Sequence, residues 1–287
     1  MVCSRLPFLA SALIAVSFFT GLDSSRASVT YSSPSIELQV NGGEANNGPL
    51  PADGYFNYRL IDLNVETTWS IDPILITPTG QAIDLADGSA GGFGSPVDNG
   101  GVAESTAVIN NDLTVQAQTS LNNLIANTTF NFITNGSLDG YKLVFYAEND
   151  LPPASANIAG TYGSIAGGNL LLLQANSLSG GIIVGLTGSG ISNADLSLYG
   201  SGLYTGFGAA LGNGDLSVLS SDGSNFVTGP GDLGLALAFD LSGTGGASLT
   251  VSYAALSIPV PEVGTTAYLA VAMGAFGCFR LIRRRTV

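Results

Sequence analysis

A chain of 287 residues, 45% hydrophobic and only 10% charged, is long enough for one large domain or two small ones and has ample apolar material for a core. Extended disorder, which goes with low hydrophobicity and many charges of one sign, is excluded. There is no histidine, and the two cysteines, Cys3 and Cys278, lie near opposite ends, which excludes His/Cys zinc sites, Ser-His-Asp and Cys-His nucleophiles, CxxC redox pairs and a disulfide framework. With 8 Lys+Arg against 21 Asp+Glu there is no basic stripe to neutralise phosphates, so nucleic acid is excluded as a partner.

The chain opens Met1-Val2-Cys3-Ser4-Arg5, continues apolar from Leu6 to Phe19, and closes Ser24-Ser25-Arg26-Ala27. One positive charge, an apolar run short for a span and a small-x-small close predict a secretory signal peptide cut by signal peptidase after Ala27. The alternative is an uncleaved N-terminal anchor. Cys3 precedes the apolar run, unlike the cysteine of a lipoprotein signal.

Residues 28–262 carry 20 acids and two bases, Arg59 and Lys142, a net charge of −18. Such a surface stays soluble and attracts cations. Period-two alternation recurs through this body, as in Ile36–Val40, Leu113–Ala117, Asp195–Tyr199, Leu216–Leu219, Leu235–Phe239 and Leu249–Tyr253. Alternation puts apolar side chains on one face, as a half-buried strand requires. Pairs such as Asn135-Gly136, Asp139-Gly140, Gly167-Gly168 and Asp222-Gly223 supply the positive φ of tight turns. The continuous apolar runs Leu170–Leu173 and Ile182–Val184 read as strands buried on both faces. No stretch keeps a helical period; Asp112–Ala126 comes nearest, and its β-branched residues weaken it. Pro152-Pro153 interrupts any ladder and marks a candidate hinge or crossover, where the glycine-poor first half meets a glycine-rich second half. The expected fold is all-β: one antiparallel β-sandwich of roughly ten to twelve strands over residues 28–257. Two domains divided near 152–153, or a parallel β-helix suggested by the Gly/Ser/Leu texture of residues 160–250, are the alternatives; no fixed coil repeat supports the latter.

Residues 258–287 run Ile258-Pro259-Val260-Pro261-Glu262-Val263-Gly264-Thr265-Thr266, then apolar from Ala267 to Phe279, then Arg280-Leu281-Ile282-Arg283-Arg284-Arg285. At about 1.5 Å per residue, Gly264–Ile282 makes a helix of roughly 28 Å, enough for a thin hydrocarbon core. Arg280 can snorkel to the interface, while Arg283, Arg284 and Arg285 form a cytoplasmic stop that leaves the body outside. The signal peptide demands that same orientation. A buried C-terminal helix of a globular fold is the alternative, which three terminal arginines oppose.

A Val-Pro-Glu motif, a single transmembrane helix and a basic cluster together resemble the sorting tail of bacterial PEP-CTERM proteins. Here the motif is Val260-Pro261-Glu262, with Val263 where the family usually has a second proline and Gly264-Thr265 like the Gly-Thr or Ser-Thr that often follows. The resemblance covers about the last 30 residues. It implies recognition by an exosortase, a membrane transpeptidase-like enzyme, and delivery to the envelope or an exopolysaccharide matrix.

Without histidine or cysteine, catalysis would fall to carboxylates. Paired as in a glycoside hydrolase, they could come from Asp62, Glu66, Asp72, Glu104 and Glu148, but none sits in a motif, and solvated strand and turn carboxylates are the simpler reading. No cofactor is expected; the one candidate is calcium in the Asp, Asn, Ser and Gly of Asp84–Asp98 and Asp222–Asp232, where turn chemistry is the alternative and no EF-hand spacing occurs. Trp69, Tyr55, Tyr58, Tyr141 and Tyr146 could stack on sugars, against the commoner fate of strand aromatics as core. Lys142 is expected outward, as a solvated edge charge. The expectation is therefore a non-enzymatic envelope or matrix protein, structural or adhesive, with membrane lipid and exopolysaccharide as partners. An extracellular glycoside hydrolase is the alternative.

Overall fold

The computed structural model describes residues 28–41, 54–61, 65–67, 70–87, 91–149, 151, 157–176 and 181–257. The expected signal sequence and cleavage point after Ala27, Asp62, Trp69, Pro152-Pro153, the motif Val260-Pro261-Glu262, the apolar tail, and Arg280, Arg283, Arg284 and Arg285 lie outside the described residues. Among the described residues no helix is long and apolar enough to cross a membrane.

Among the described residues seventeen strands form three sheets. In the small sheet β1 (Val29–Ser32), β2 (Ile36–Val40), β3 (Phe56–Leu60) and β4 (Val65–Glu66) lie in chain order. The long sheet runs β12 (Asn157–Tyr162), β13 (Leu171–Asn176), β14 (Ile182–Ser192), β17 (Ala247–Ser257), β10 (Ile125–Thr134), β9 (Leu113–Asn122), β8 (Val102–Val108), β7 (Val97–Asp98). The inner sheet runs β15 (Ala194–Leu203), β16 (Leu233–Leu241), β11 (Lys142–Glu148), β5 (Ser70–Ile76), β6 (Ala82–Asp84). Every ladder among the described residues is antiparallel, so the parallel β-helix does not describe this body. Strands from either side of residues 152–153 share the long and inner sheets, those after it forming one side of each and those before it the other. The strand count exceeds the expected ten to twelve, in part because β4, β6 and β7 are too short to show an alternation.

The long and inner sheets pack face to face. Alternation in β9, β10 and β17 turns Val115, Ala117, Phe130, Phe132, Leu249 and Val251 inward, against Leu143, Phe145, Leu235, Leu237 and Phe239 of the inner sheet. Contact is close: a Cβ added at Gly188 of β14 would stand 2.6 Å from the Phe239 ring and 3.2 Å from Leu237. Asp112–Ala126, the nearest thing to a helix in the sequence, holds β9, the reversal after it and the first two residues of β10. The hairpin reverses at Asn123, whose φ is 54°. The side edges are laced by backbone. Val227 donates to Ser201 of β15 (3.0 Å), Ala159 of β12 to Thr228 (3.0 Å), and Gly231 to Asn157 (3.1 Å). On the opposite side Leu85 donates to Pro73 of β5, Phe93 to Leu85, and Gly94 to Thr106 of β8.

The inner sheet is buried on its second face as well. Leu235, Leu237 and Phe239 face the long sheet, while Ala236 and Ala238 face the other way with Ile74, Ile76, Val144 and Tyr146. Over this second face lie α1 (Tyr204–Gly212) and Leu219. No helical period announces this element, because three glycines in nine residues lower its propensity and blur the pattern. Phe207 and Leu211, one turn apart, hold it by burial. The segment Leu216–Leu219, expected as a strand, instead turns as a 3-10 helix over Leu216–Val218. Its start is capped by the Asp215 carboxylate, which accepts from the Ser217 N–H at 2.9 Å. Gly202 on β15 lies under Phe207, where an added Cβ would be 2.5 Å from the ring.

Two substitutions should therefore move stability in opposite directions. Gly202→Ala forces α1 off the sheet and should lower unfolding free energy by about 1–3 kcal/mol. Gly206→Ala adds a methyl with nothing within 4 Å, inside the helix, and should raise it by about 0.5–1 kcal/mol. Denaturant midpoints measure both.

Candidate functional site

One end of the inner sheet gathers carboxylates and phenols. Asp72 on β5 stands opposite Tyr146 on β11, and Glu148 follows two residues on, on the same face and opposite Gly234 of β16. Asp232 immediately precedes β16, and its carbonyl accepts from the N–H of Tyr204, the first residue of α1, at 2.9 Å. Diagonal neighbours on paired strands have Cα atoms roughly 7–8 Å apart, a separation at which two carboxyl groups can flank a glycosidic bond. Of the five candidate carboxylates, the structure thus brings Asp72 and Glu148 together.

Tyr146 is the centre of this group. Only 3% exposed, its ring lies beneath α1 and meets Phe207 edge-on at 5.9 Å between centroids. Glycines make its slot: an added Cβ at Gly234 would come within 2.5 Å of the ring and one at Gly208 within 3.0 Å. Its hydroxyl has no hydrogen-bond partner among the described residues. Burial first, then the negative charge of Glu148 and Asp72, pushes its pKa well above the ordinary phenol value, so it is held as a neutral O–H beside acids. Such a group can donate to a ligand oxygen, and the carboxylates can accept from hydroxyls or exchange protons with them.

The other sequence candidates are placed differently. Glu104 lies on β8 and accepts from Gln118 Nε2 at 2.7 Å and Asn99 Nδ2 at 2.5 Å, on the outer face of the long sheet and away from Asp72. The backbone of Glu66 pairs with Arg59 in the small sheet. In the loops considered for calcium the carboxylates hold turns. Asp84 accepts from the Ala86 N–H (2.8 Å), and Asp98 from the Gly101 N–H (3.0 Å) and the Tyr31 hydroxyl (2.9 Å). Asp222 accepts from the Ser224 N–H (2.9 Å), which holds its carboxyl below the usual range. Residues 88–90 of the first loop lie outside the described residues, and among those described no three acids are grouped to hold a metal.

The tyrosines considered as a sugar platform are interior. Tyr55 and Tyr58 are fully buried, and Tyr141 packs on the core from its margin. Lys142 needs correction. It starts β11, a central strand flanked by β5 and β16, and pairs with Asp240, which also accepts from Ser197 Oγ at 3.0 Å. Asp240 has Asp195 as its other cross-strand neighbour, so the lysine offsets a like-charge pair. A buried relay went unseen in the sequence. Tyr253 donates to Asn149 Oδ1 (3.1 Å), whose Nδ2 donates to Gln174 Oε1 (2.9 Å). Single Asn and Gln residues in strands carry no signal that distinguishes such interior pairing.

No protein-family model matches this chain, and no curated protein does. Among solved structures it is similar to an alpha-N-acetylgalactosaminidase from Bifidobacterium bifidum, with TM-score 0.47 and 9% identity over 81% of this chain and 36% of the other. A heparinase III gives 0.41 and 6% over 78% and 33%. A galactose mutarotase related enzyme from Lactobacillus acidophilus gives 0.41 and 8% over 82% of this chain and all of that one. The chain spans about a third of the length of the first two. At these scores the likeness carries no argument about function.

The buried phenols set the response to alkali. Burial raises Tyr55 to about 12 and also lifts Tyr58, Tyr146 and Tyr253 well above the value of 10.0 for an unperturbed phenol. Raised folded values mean that the native state holds protons the unfolded chain releases near pH 10. The stability they contribute is whole below pH 10 and is lost as pH rises beyond it. Unfolding free energy should fall progressively above that point, with phenolate absorbance appearing cooperatively with unfolding. Titration of all tyrosines near pH 10 without loss of near-ultraviolet dichroism would contradict the arrangement.

Proposed function

We propose that this chain is an exported cell-envelope or extracellular-matrix protein whose β body has a structural or adhesive role without turnover. Signal peptidase releases residues 1–27, and the segment 264–282 holds the chain in the membrane with Arg283, Arg284 and Arg285 on the cytoplasmic side. An exosortase-like enzyme then recognises Val260-Pro261-Glu262 just outside the lipid. Pro259 and Pro261 keep this stretch out of a helix and extended, as a protease substrate must be. The observation that carries the reading is the agreement of two independent ends on one orientation, with the acidic body outside. Its many short carboxylates keep such a body soluble beyond the membrane. Protease added to outer-membrane-permeabilised cells should degrade the body, and intact-mass measurement from the native host should find a chain beginning at Ser28 and ending near Val260–Gly264. Protection of the body, or a mass that still includes Thr266 to Val287, overturns the orientation or the cleavage respectively.

A second reading, an extracellular glycoside hydrolase, is favoured by one observation: Asp72 and Glu148 share a face around the neutral hydroxyl of Tyr146. One carboxyl would act as acid and the other as base or nucleophile. On the structural or adhesive reading, the purified chain releases no reducing ends from a panel of glycans. Turnover reduced at least a hundredfold by Asp72→Asn or Glu148→Gln would establish the enzyme instead.

A further inference from the structure

The outer face of the long sheet is unlike the rest of the body. Its central row crosses five strands in register, from Glu104 through Gln118, Thr129 and Thr250 to Ser189. The rows on either side continue the chemistry, with Gln116, Asn131 and Ser248 in one and Asn127 and Ser252 in the other. In a body with 20 acids, Glu104 is the single charge in these three rows, and no aromatic side chain occurs in them. Neighbouring side chains hold one another: Thr129 and Thr250 hydroxyls at 3.0 Å, Ser248 Oγ to Asn131 Oδ1 at 2.9 Å, Ser252 Oγ to Asn127 Oδ1 at 2.7 Å. The groups are half-buried against each other and pre-oriented, so little freedom remains to be lost on binding. At the rim stand aliphatic side chains, Val97, Val108 and Ile133, exposed by 60%, 64% and 57%.

We propose that this face docks a neutral polysaccharide. A neutral glycan offers hydroxyls to the amide and hydroxyl rows and apolar C–H surface to the valine and isoleucine rim. Strands about 4.8 Å apart make a row of five side chains roughly 19 Å long, a flat track for an extended chain. An anionic polymer finds no cation on this face. A cationic one finds a single carboxylate, already bonded to Gln118 and Asn99. A protein partner ordinarily needs an apolar, aromatic-rich centre, and here the apolar groups are at the edge. The inference rests on the adhesive reading for its setting and supplies that reading with a surface.

The test is affinity electrophoresis of the full-length protein in mild detergent, through gels containing galactomannan, dextran, hydroxyethyl cellulose or, as the anionic control, alginate. Retardation is expected in at least one neutral glycan and not in alginate. The double variant Thr129→Val/Thr250→Val removes two hydroxyls that bond each other while keeping branched strand residues, so the sheet should stand, which circular dichroism checks. It should weaken retardation about three- to tenfold for each hydroxyl lost. Asp195→Asn, on the inner sheet, should leave retardation unchanged. No retardation in any neutral glycan, retardation only in alginate, or equal retardation of the double variant would overturn the proposal. So would sedimentation showing a dimer that the double variant dissociates, which would give the face to a second copy of the chain. A chain accessible to protease on cells but blind to neutral glycans fails this inference alone. One that binds them but is never exported fails the sorting reading alone.

Discussion

Three sheets meet at one aromatic junction, and the architecture depends on it. Phe56 and Tyr58 come from the small sheet, Phe130 and Tyr253 from the long sheet, and Phe145 from the inner sheet. Tyr58 meets Tyr253 at 5.2 Å, Phe130 meets Phe145 at 6.0 Å, and Phe56 reaches both Phe145 and Tyr253 at 6.2 Å. Each such pair contributes about 0.5–1.5 kcal/mol beyond its buried area. The hydroxyls buried with these rings must also be satisfied, which fixes register as well as contact. Tyr58 donates to the Leu124 carbonyl at the β9–β10 turn, and Tyr253 joins Thr67 to Asn149. A slip of one residue in β3 would turn the Phe56 and Tyr58 rings away and strand the Tyr58 hydroxyl.

From this junction follows the two-sided burial of the inner sheet. With one face committed to the long sheet, the other needed a cover, and α1 supplies it through two side chains. The alternation of large and small residues in β16 answers two demands at once: Leu and Phe fill the wide inter-sheet space, and Ala lets the helix approach. The same closeness leaves Tyr146 no room to swing its hydroxyl to water. A phenol trapped beside acids is thus a consequence of packing before it is a candidate for chemistry. That is why turnover, and not the geometry alone, must decide between the structural and hydrolytic readings.

The strands were legible because a half-buried strand writes its environment as period two. Leu113–Ala117 and Leu249–Tyr253 show it, and both have the alternating burial their letters imply. Leu235–Phe239 alternates in size while both its faces are buried, so the same pattern concealed a second layer. The helix above it was illegible because tertiary contact, not propensity, forms it. Leu216–Leu219 failed for a related reason: four residues of alternation cannot outweigh the capping carboxylate of Asp215. The nearness of Asp72 and Glu148 depends on a register across 76 residues of separation in sequence (148 − 72) and on which strand joins which. No local pattern carries that information.

Charge shows how the pieces fit. Both cations of the body are paired, Arg59 with Glu37 at 3.6 Å and Lys142 with Asp240, so each serves the fold and neither offers a site to an anion. The remaining carboxylates crowd turns, loop ends and the Tyr146 end of the inner sheet, where they repel one another and any acidic neighbour. A body this acidic would resist contact with copies of itself over most of its surface. The amide and hydroxyl rows of the long sheet are the exception among the described residues: across three rows the repulsion is withdrawn, yet no apolar patch replaces it. Withdrawal of charge without hydrophobic replacement favours a partner that is neutral and wet over one that is charged or greasy. The acidity of the body and the neutrality of one face therefore belong to the same design, the first refusing most contacts so that the second can be selective.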